Sequence, residues 1–159
     1  MNSKYLSWRW SAGLIVLLLS SLFLFLKIPV IQFDFGHTTY YVKEDSFILK
    51  WIHSVEKEEW LEYYERDKNE LILTDTYFKT FGAGVPSDAE FVEIVDGFVH
   101  MKINLTFPEI HLTVSENAQT AIEINEREIP LYRLTNDYET VTISIHTIPL
   151  WEYIGGETL

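Results

Sequence analysis

Val99-His100-Met101-Lys102-Ile103-Asn104-Leu105-Thr106-Phe107 is the stretch whose reading decides the fold. Val99, Met101, Ile103, Leu105 and Phe107 are apolar, and His100, Lys102, Asn104 and Thr106 stand between them. A period of two sends alternate side chains to opposite faces of an extended backbone, so the stretch predicts a strand with one face in a core and one in water. The pattern recurs downstream. Ile110, Leu112 and Val114 alternate with His111 and Thr113, and Val141, Ile143 and Ile145 alternate with Thr142, Ser144 and His146.

Working outward, strands are predicted at residues 31–35, 39–42 and 47–55. Residues 60–66 and 71–79 form a hairpin around Asp67-Lys68-Asn69-Glu70, and residues 122–124 and 129–134 form another around Asn125-Glu126-Arg127-Glu128. No stretch after Lys27 carries a helical period. The expected fold is all-β, an antiparallel β-sandwich or small barrel.

The N-terminus reads differently. Lys4 and Arg9 precede an uncharged, apolar run from Ser11 to Leu26, with Trp8 and Trp10 where interfacial aromatics sit. Ile28, Pro29, Val30 and Ile31 extend the apolar character past Lys27, which can snorkel. The run is slightly shorter than the roughly 20 residues of a span, and this extension makes up the length. No small-x-small site follows Leu26, which favours an uncleaved anchor over a cleaved signal peptide. The expected organisation is a cytoplasmic N-terminus (1–10), a transmembrane signal-anchor helix (11–31) and an extracytoplasmic β domain (32–159) on a short tether, single-pass in the cell membrane and contacting lipid through the anchor.

Composition narrows the function classes. The chain has 159 residues, 47% of them hydrophobic, enough for one globular domain. It has no cysteine, which removes disulfides, cysteine-ligated zinc, thiol catalysis and cysteine lipidation. The net charge is −12, and the part beyond Lys27 is more acidic still, because Lys4, Arg9 and Lys27 precede it. Nucleic acid is therefore not an expected partner.

Chemistry-bearing residues gather between Trp51 and Pro86. On an extended strand His53 shares the apolar face with Phe47, Leu49, Trp51 and Val55, whereas Ser54 and Glu56 point the other way. A buried, neutral, hydrogen-bonded histidine and a functional one both fit. His53 and Glu56 make a His-x-x-Glu metal pair only if the chain bends. With the hairpin turn centred on Lys68-Asn69, Trp60 falls opposite Tyr77, Tyr64 opposite Leu73, and Glu62 opposite Asp75. Facing carboxylates repel, which calls for a cation, a raised carboxyl pKa, or Lys79 on the same face. Gly82 and Gly84 permit positive φ and close backbone approach, as an anion-binding nest or as a tight connection between sheets. No glycine-flanked nucleophile serine or Walker-type loop is present.

Trp51-Ile52-His53-Ser54-Val55-Glu56, Glu62-Tyr63-Tyr64, Thr76-Tyr77-Phe78-Lys79 and Phe81-Gly82-Ala83-Gly84-Val85-Pro86 together resemble an uncharacterised family of small bacterial exported proteins, a domain of unknown function. The similarity runs from about Phe47 onward and is strongest up to Pro86. Members are often encoded beside the fused permease of TAXI-type TRAP transporters. The resemblance implies a role linked to secondary uptake of organic acids or amino acids, with the permease or its solute-binding protein as partner. The expected function is thus a non-enzymatic accessory or ligand-binding domain. His53, Glu56, Glu62, Asp75, Lys79, Gly82 and Gly84 are its candidate ligand-binding residues. No cofactor is expected, and a divalent cation stays open as a ligand. The alternative is a cation- or ligand-dependent enzyme using His53, Glu62, Asp75 and Lys79.

Overall fold

A computed structural model describes residues 13–18, 20, 21, 23–82, 84–87 and 89–159. Lys4, Trp8, Arg9, Trp10 and Ser11, on which the orientation and start of the expected anchor rest, lie outside these residues, as does Ala83 of the glycine loop.

Among the described residues, twelve strands follow the N-terminal helical ones. In chain order they are β1 (Lys27–Asp34), β2 (Thr39–Val42), β3 (Ser46–Ile52), β4 (Glu59–Asp67), β5 (Glu70–Phe78), β6 (Phe91–Val95), β7 (Phe98–Phe107), β8 (Glu109–Thr113), β9 (Ala121–Ile124), β10 (Arg127–Pro130), β11 (Thr140–Pro149) and β12 (Glu157–Thr158). They form a five-stranded sheet, β12-β2-β1-β11-β8, and a seven-stranded sheet, β10-β9-β3-β4-β5-β7-β6. Pairing is antiparallel throughout except between β12 and β2. Neither sheet closes on itself, so of the two expected architectures the barrel is set aside. The sheets share one core: Ile31, Phe33, Val141 and Ile143 of the smaller meet Phe47, Leu49, Trp60, Leu71, Phe78 and Ile103 of the larger. Phe33 and Phe47 cross the interface edge to face, ring centres 5.5 Å apart.

The decisive stretch behaves as its alternation predicts over Val99, Met101 and Ile103, which are buried. Leu105, opposite the buried Leu73, is 40% exposed and lies beyond the part of β7 that β6 pairs with. Two strands are longer in the sequence reading than in the structure. The third was expected to reach residue 55 but ends at Ile52. The strand predicted at 129–134 ends at Pro130, where the chain turns into a 3-10 helix, Leu131–Arg133, that buries Leu131. The short helix Leu150–Gly155 and strands β6 and β12 were not anticipated.

The anchor boundary needs correction too. Residues 13–18, 20, 21 and 23–25 are helical, and no helix of the described residues is long and apolar enough to cross a membrane. Residues 27–31, assigned from sequence to the span, belong to β1 and pair with β11 from Lys27↔Pro149 to Ile31↔Ile145. Val30 and Ile31 are fully buried, so their apolar character serves the protein core. Pro29 is tolerated because β2 reaches only Ile31–Asp34, leaving this part of β1 bonded on one side alone. The β domain therefore begins at Lys27.

Candidate functional site

Beyond Ile52 the chain reverses. The His53 amide donates to the Glu58 carbonyl at 2.8 Å and the Lys57 amide to the His53 carbonyl at 3.0 Å, with Lys57 in the left-handed region at φ 58°. This turn supplies the bend that a straight strand lacks, and His53 Nδ1 meets the Glu56 carboxylate. His53 does not continue the buried face of Phe47 and Leu49. It stacks on Trp60 at the end of the sheet (5.5 Å, 28°), and Val55, expected on the same face, is 73% exposed. Trp60 in turn stacks between Trp51 and Phe78 and donates its indole N–H to Thr76 Oγ1 at 2.8 Å.

Gly82 belongs to this group. A Cβ there would run into the Glu56 carboxylate, the far end of a flexible side chain that would have to move aside. Gly84 has φ 88°, and a Cβ built on it would meet nothing within 4 Å. Lys79 lines the same small gap as His53 and Glu56, with its ammonium 5.3 Å above the Phe98 ring. That gap is only about 10 Å³, room for roughly one water. His53, Glu56, Lys79 and Gly82 thus come together as a packed cluster.

Glu62 and Asp75 do not join it. Near the turn the hairpin has the expected register, Tyr64↔Leu73, but Thr74 is an extra residue on β5. Beyond it the pairs become Tyr63↔Asp75, Glu62↔Thr76 and Trp60↔Phe78. One residue of shift sends the two carboxylates to opposite faces. Glu62 lies on the core side between Trp60 and Tyr64 and accepts the Tyr64 hydroxyl at 2.7 Å. Burial pushes the Glu62 carboxyl up despite that hydrogen bond, and burial followed by the Glu62 charge pushes the Tyr64 phenol up. The facing-carboxylate argument therefore fails, and with it the geometry of an enzyme using His53, Glu62, Asp75 and Lys79 together.

Asp75 points outward into a constellation that the sequence reading missed. Its carboxylate lies 2.7 Å from His100 Nε2, while Glu93 lies 3.1 Å from His100 Nδ1. The imidazole lies flat on Tyr77 (4.3 Å, 3°). Burial alone would lower the His100 pKa, but the hydrogen bonds and charges of Asp75 and Glu93 outweigh it and raise the value. Because the carboxylates hold opposite ring nitrogens, they do not converge on a cation. Among the described residues no three histidine, aspartate or glutamate side chains gather as a metal site. Glu93 is on β6, and the signal for that strand was present: Asp96-Gly97 turns Val95 onto Phe98 with φ of 52° and 82°, as a two-residue hairpin requires.

A larger cleft opens on the other side of the His53 turn. It measures about 450 Å³, against about 260 Å³ for the cleft beside Tyr63 and about 80 Å³ for that beside Lys50. Trp51, His53, Lys57, Ser115, Asn117 and Tyr138 are among its lining residues. The Ile52 amide donates to the Ala118 carbonyl at 2.7 Å and pins the two walls together. The Tyr138 amide donates to the Val114 carbonyl at 2.8 Å, and Asn117 reaches the Tyr138 hydroxyl at 3.3 Å.

Fold and site together define an open two-sheet β domain with an aromatic-walled cleft at one end of its larger sheet. Residues 47–131, slightly more than half of the chain, match the family described as a domain of unknown function (DUF1850), and the chain belongs to that family. No curated protein and no solved structure matches it.

Proposed function

We propose that this protein is a non-enzymatic, membrane-anchored extracytoplasmic domain that assists a TRAP-type secondary transporter, docking on the permease or its solute-binding protein. The observation that carries this reading is the N-terminal helix. Leu14, Ile15, Val16, Leu17 and Leu18 are consecutive and all exposed, as are Phe23, Leu24, Phe25 and Leu26. Five successive residues circle a helix completely, so the apolar surface runs all round, and among the described residues these side chains stay exposed. A bilayer covers such a surface. The run from Ser11 to Leu26 is at the short end of what a membrane accommodates, which local thinning and flanking residues offset. Lys4 and Arg9 before it favour a cytoplasmic N-terminus.

The exit of the helix supports the same reading. The Leu150 amide donates to the Leu26 carbonyl at 2.8 Å, which sets the short helix Leu150–Gly155 beside the chain as it enters β1. Trp151 and Ile154 on that helix are 48% and 65% exposed, suited to the interfacial zone next to a span. The transporter link rests on the resemblance of the residues from Trp51 to Pro86.

Alkaline carbonate extraction of cell membranes tests the anchor: the full chain stays in the pellet, and release into the supernatant would defeat the reading. Affinity purification in mild detergent tests the partner. The permease or the solute-binding protein co-purifies, and recovery of neither overturns the transporter link.

A further inference from the structure

We propose that the cleft beside the His53 turn binds a small organic carboxylate with an aromatic body. The first ground is charge. The chain carries 24 Asp and Glu against 12 Lys and Arg. Carboxylates line the other clefts: Glu59 and Glu128 beside Lys50, Asp75 and Glu123 beside Tyr63, Glu56 and Glu58 in the gap beneath His53. None lines the 450 Å³ cleft, which instead contains Lys57 and His53. On so acidic a protein this cleft departs from the prevailing sign, and an anion is the ligand that such a lining favours.

The second ground is the state of those cations. Among the described residues Lys57 makes no ion pair. His53 Nδ1 is engaged by Glu56, so among the described residues the Lys57 ammonium is the basic group of the cleft left without a carboxylate partner. Lys57 stands at φ 58° and Tyr138 at φ 64°, so both flanking side chains project from left-handed backbone that non-glycine residues seldom adopt. Backbone hydrogen bonds of each loop hold the main chain there, which sets the points from which the two side chains leave.

The third ground is the wall. Trp51, stacked on Trp60, and Tyr138 supply aromatic surface, while Ser54, Ser115 and Asn117 supply neutral polar groups. A cation or a neutral polyol would draw on carboxylate acceptors, which this lining lacks. A ring bearing one carboxylate uses the aromatic surface and the ammonium together, and about 450 Å³ is within the usual size of small-molecule sites. The cleft's chemistry is independent of the anchor helix.

Isothermal titration of the full chain in nanodiscs of neutral lipid, with empty nanodiscs as reference, tests the proposal. Benzoate, phenylacetate and indole-3-acetate are the ligands, and their neutral amides are the controls. At least one acid binds, its amide binds more weakly, and Lys57→Gln raises the Kd for that acid at least about tenfold. Tyr138→Gly, which relieves the backbone strain, also weakens binding and leaves the thermal midpoint at or above that of the parent chain. The proposal is overturned if no acid binds at millimolar concentration, if the amides bind as tightly, or if Lys57→Gln binds unchanged. Carbonate extraction of the same variants reads the anchor separately, so loss of ligand and loss of membrane association are distinguishable.

Discussion

Gly82 shows how much of the candidate cluster depends on a single missing atom. Its value lies in the space that the Glu56 carboxylate occupies, and Glu56 is positioned by the turn that pairs it with His53. Gly82→Ala should displace the Glu56 carboxylate from His53 and destabilise the protein by about 1 kcal/mol or less, because only the end of a flexible, partly exposed side chain has to move. Adding Glu56→Ala should recover most of that loss, and urea unfolding of the two single variants and the double variant measures the coupling. His100 gives a second test at this scale. Its folded-state pKa is raised above the unfolded value of about 6.5. The folded state therefore holds the proton more tightly. The stabilisation is complete below the unfolded pKa and disappears as the pH rises through the folded one. The thermal midpoint of the parent chain should exceed that of His100→Gln most at about pH 6, and the gap should narrow on raising the pH. A gap that stays constant would mean that stacking on Tyr77, rather than charge, holds the ring.

Among the elements, the β4–β5 hairpin carries the sharpest lesson. Leu71 and Leu73 are buried at odd positions, and Thr76 and Phe78 at even ones, because Thr74 is an extra residue between them. Residue types announced the strands and the turn at Asp67–Glu70. They did not announce the bulge, since Thr, Asp and Thr fit either face of a half-buried strand. The Glu62–Asp75 pairing was lost for that reason. Deleting Thr74 would remove the bulge and leave Leu71, Leu73, Thr76 and Phe78 in unbroken alternation on the inner face. The expected outcome is a retained single cooperative transition in a calorimetric scan. Loss of that transition would show that the bulge itself is needed. The turn after β3 teaches the same lesson: Val55 fits the strand alternation, yet the chain bends two residues earlier because Glu58 bonds the His53 amide and leads straight into β4.

At the scale of the whole molecule, the pairing of β1 with β11 brings the N-terminal helical residues and the short helix Leu150–Gly155 to one place. If that place faces a bilayer, Trp151 and Ile154 touch the interface together with Leu26. On the proposed reading, in which the N-terminal helix is the anchor, Trp151→Ser with Ile154→Ser should leave the full chain in the carbonate-resistant pellet. The same double change should reduce the Trp fluorescence blue shift seen when the chain is reconstituted into vesicles. An unchanged shift would place the short helix away from lipid. The far end of the larger sheet is built differently. There the aromatic stack Trp51–Trp60–Phe78 supports the His53 turn, and residues 113–118 and Tyr138 close the cleft from a remote part of the chain.

The sequence alone determined the class of the fold, because period-two burial depends on alternating side-chain polarity that neighbouring residues carry between them. It also determined the apolar N-terminal run and the absence of cysteine chemistry, and it singled out the region from Trp51 to Gly82, where composition departs from ordinary strand packing. Only the tertiary structure decided which of those residues meet. Register, bulges and turns are set by hydrogen bonds between strands distant in sequence, and a displacement of one residue reverses every face. For that reason His53, Glu56, Lys79 and Gly82 converge while Glu62 and Asp75 separate. For the same reason the carboxylate-free cleft, with walls drawn from residues 51–57, 113–118 and 138, could not be read from any single stretch.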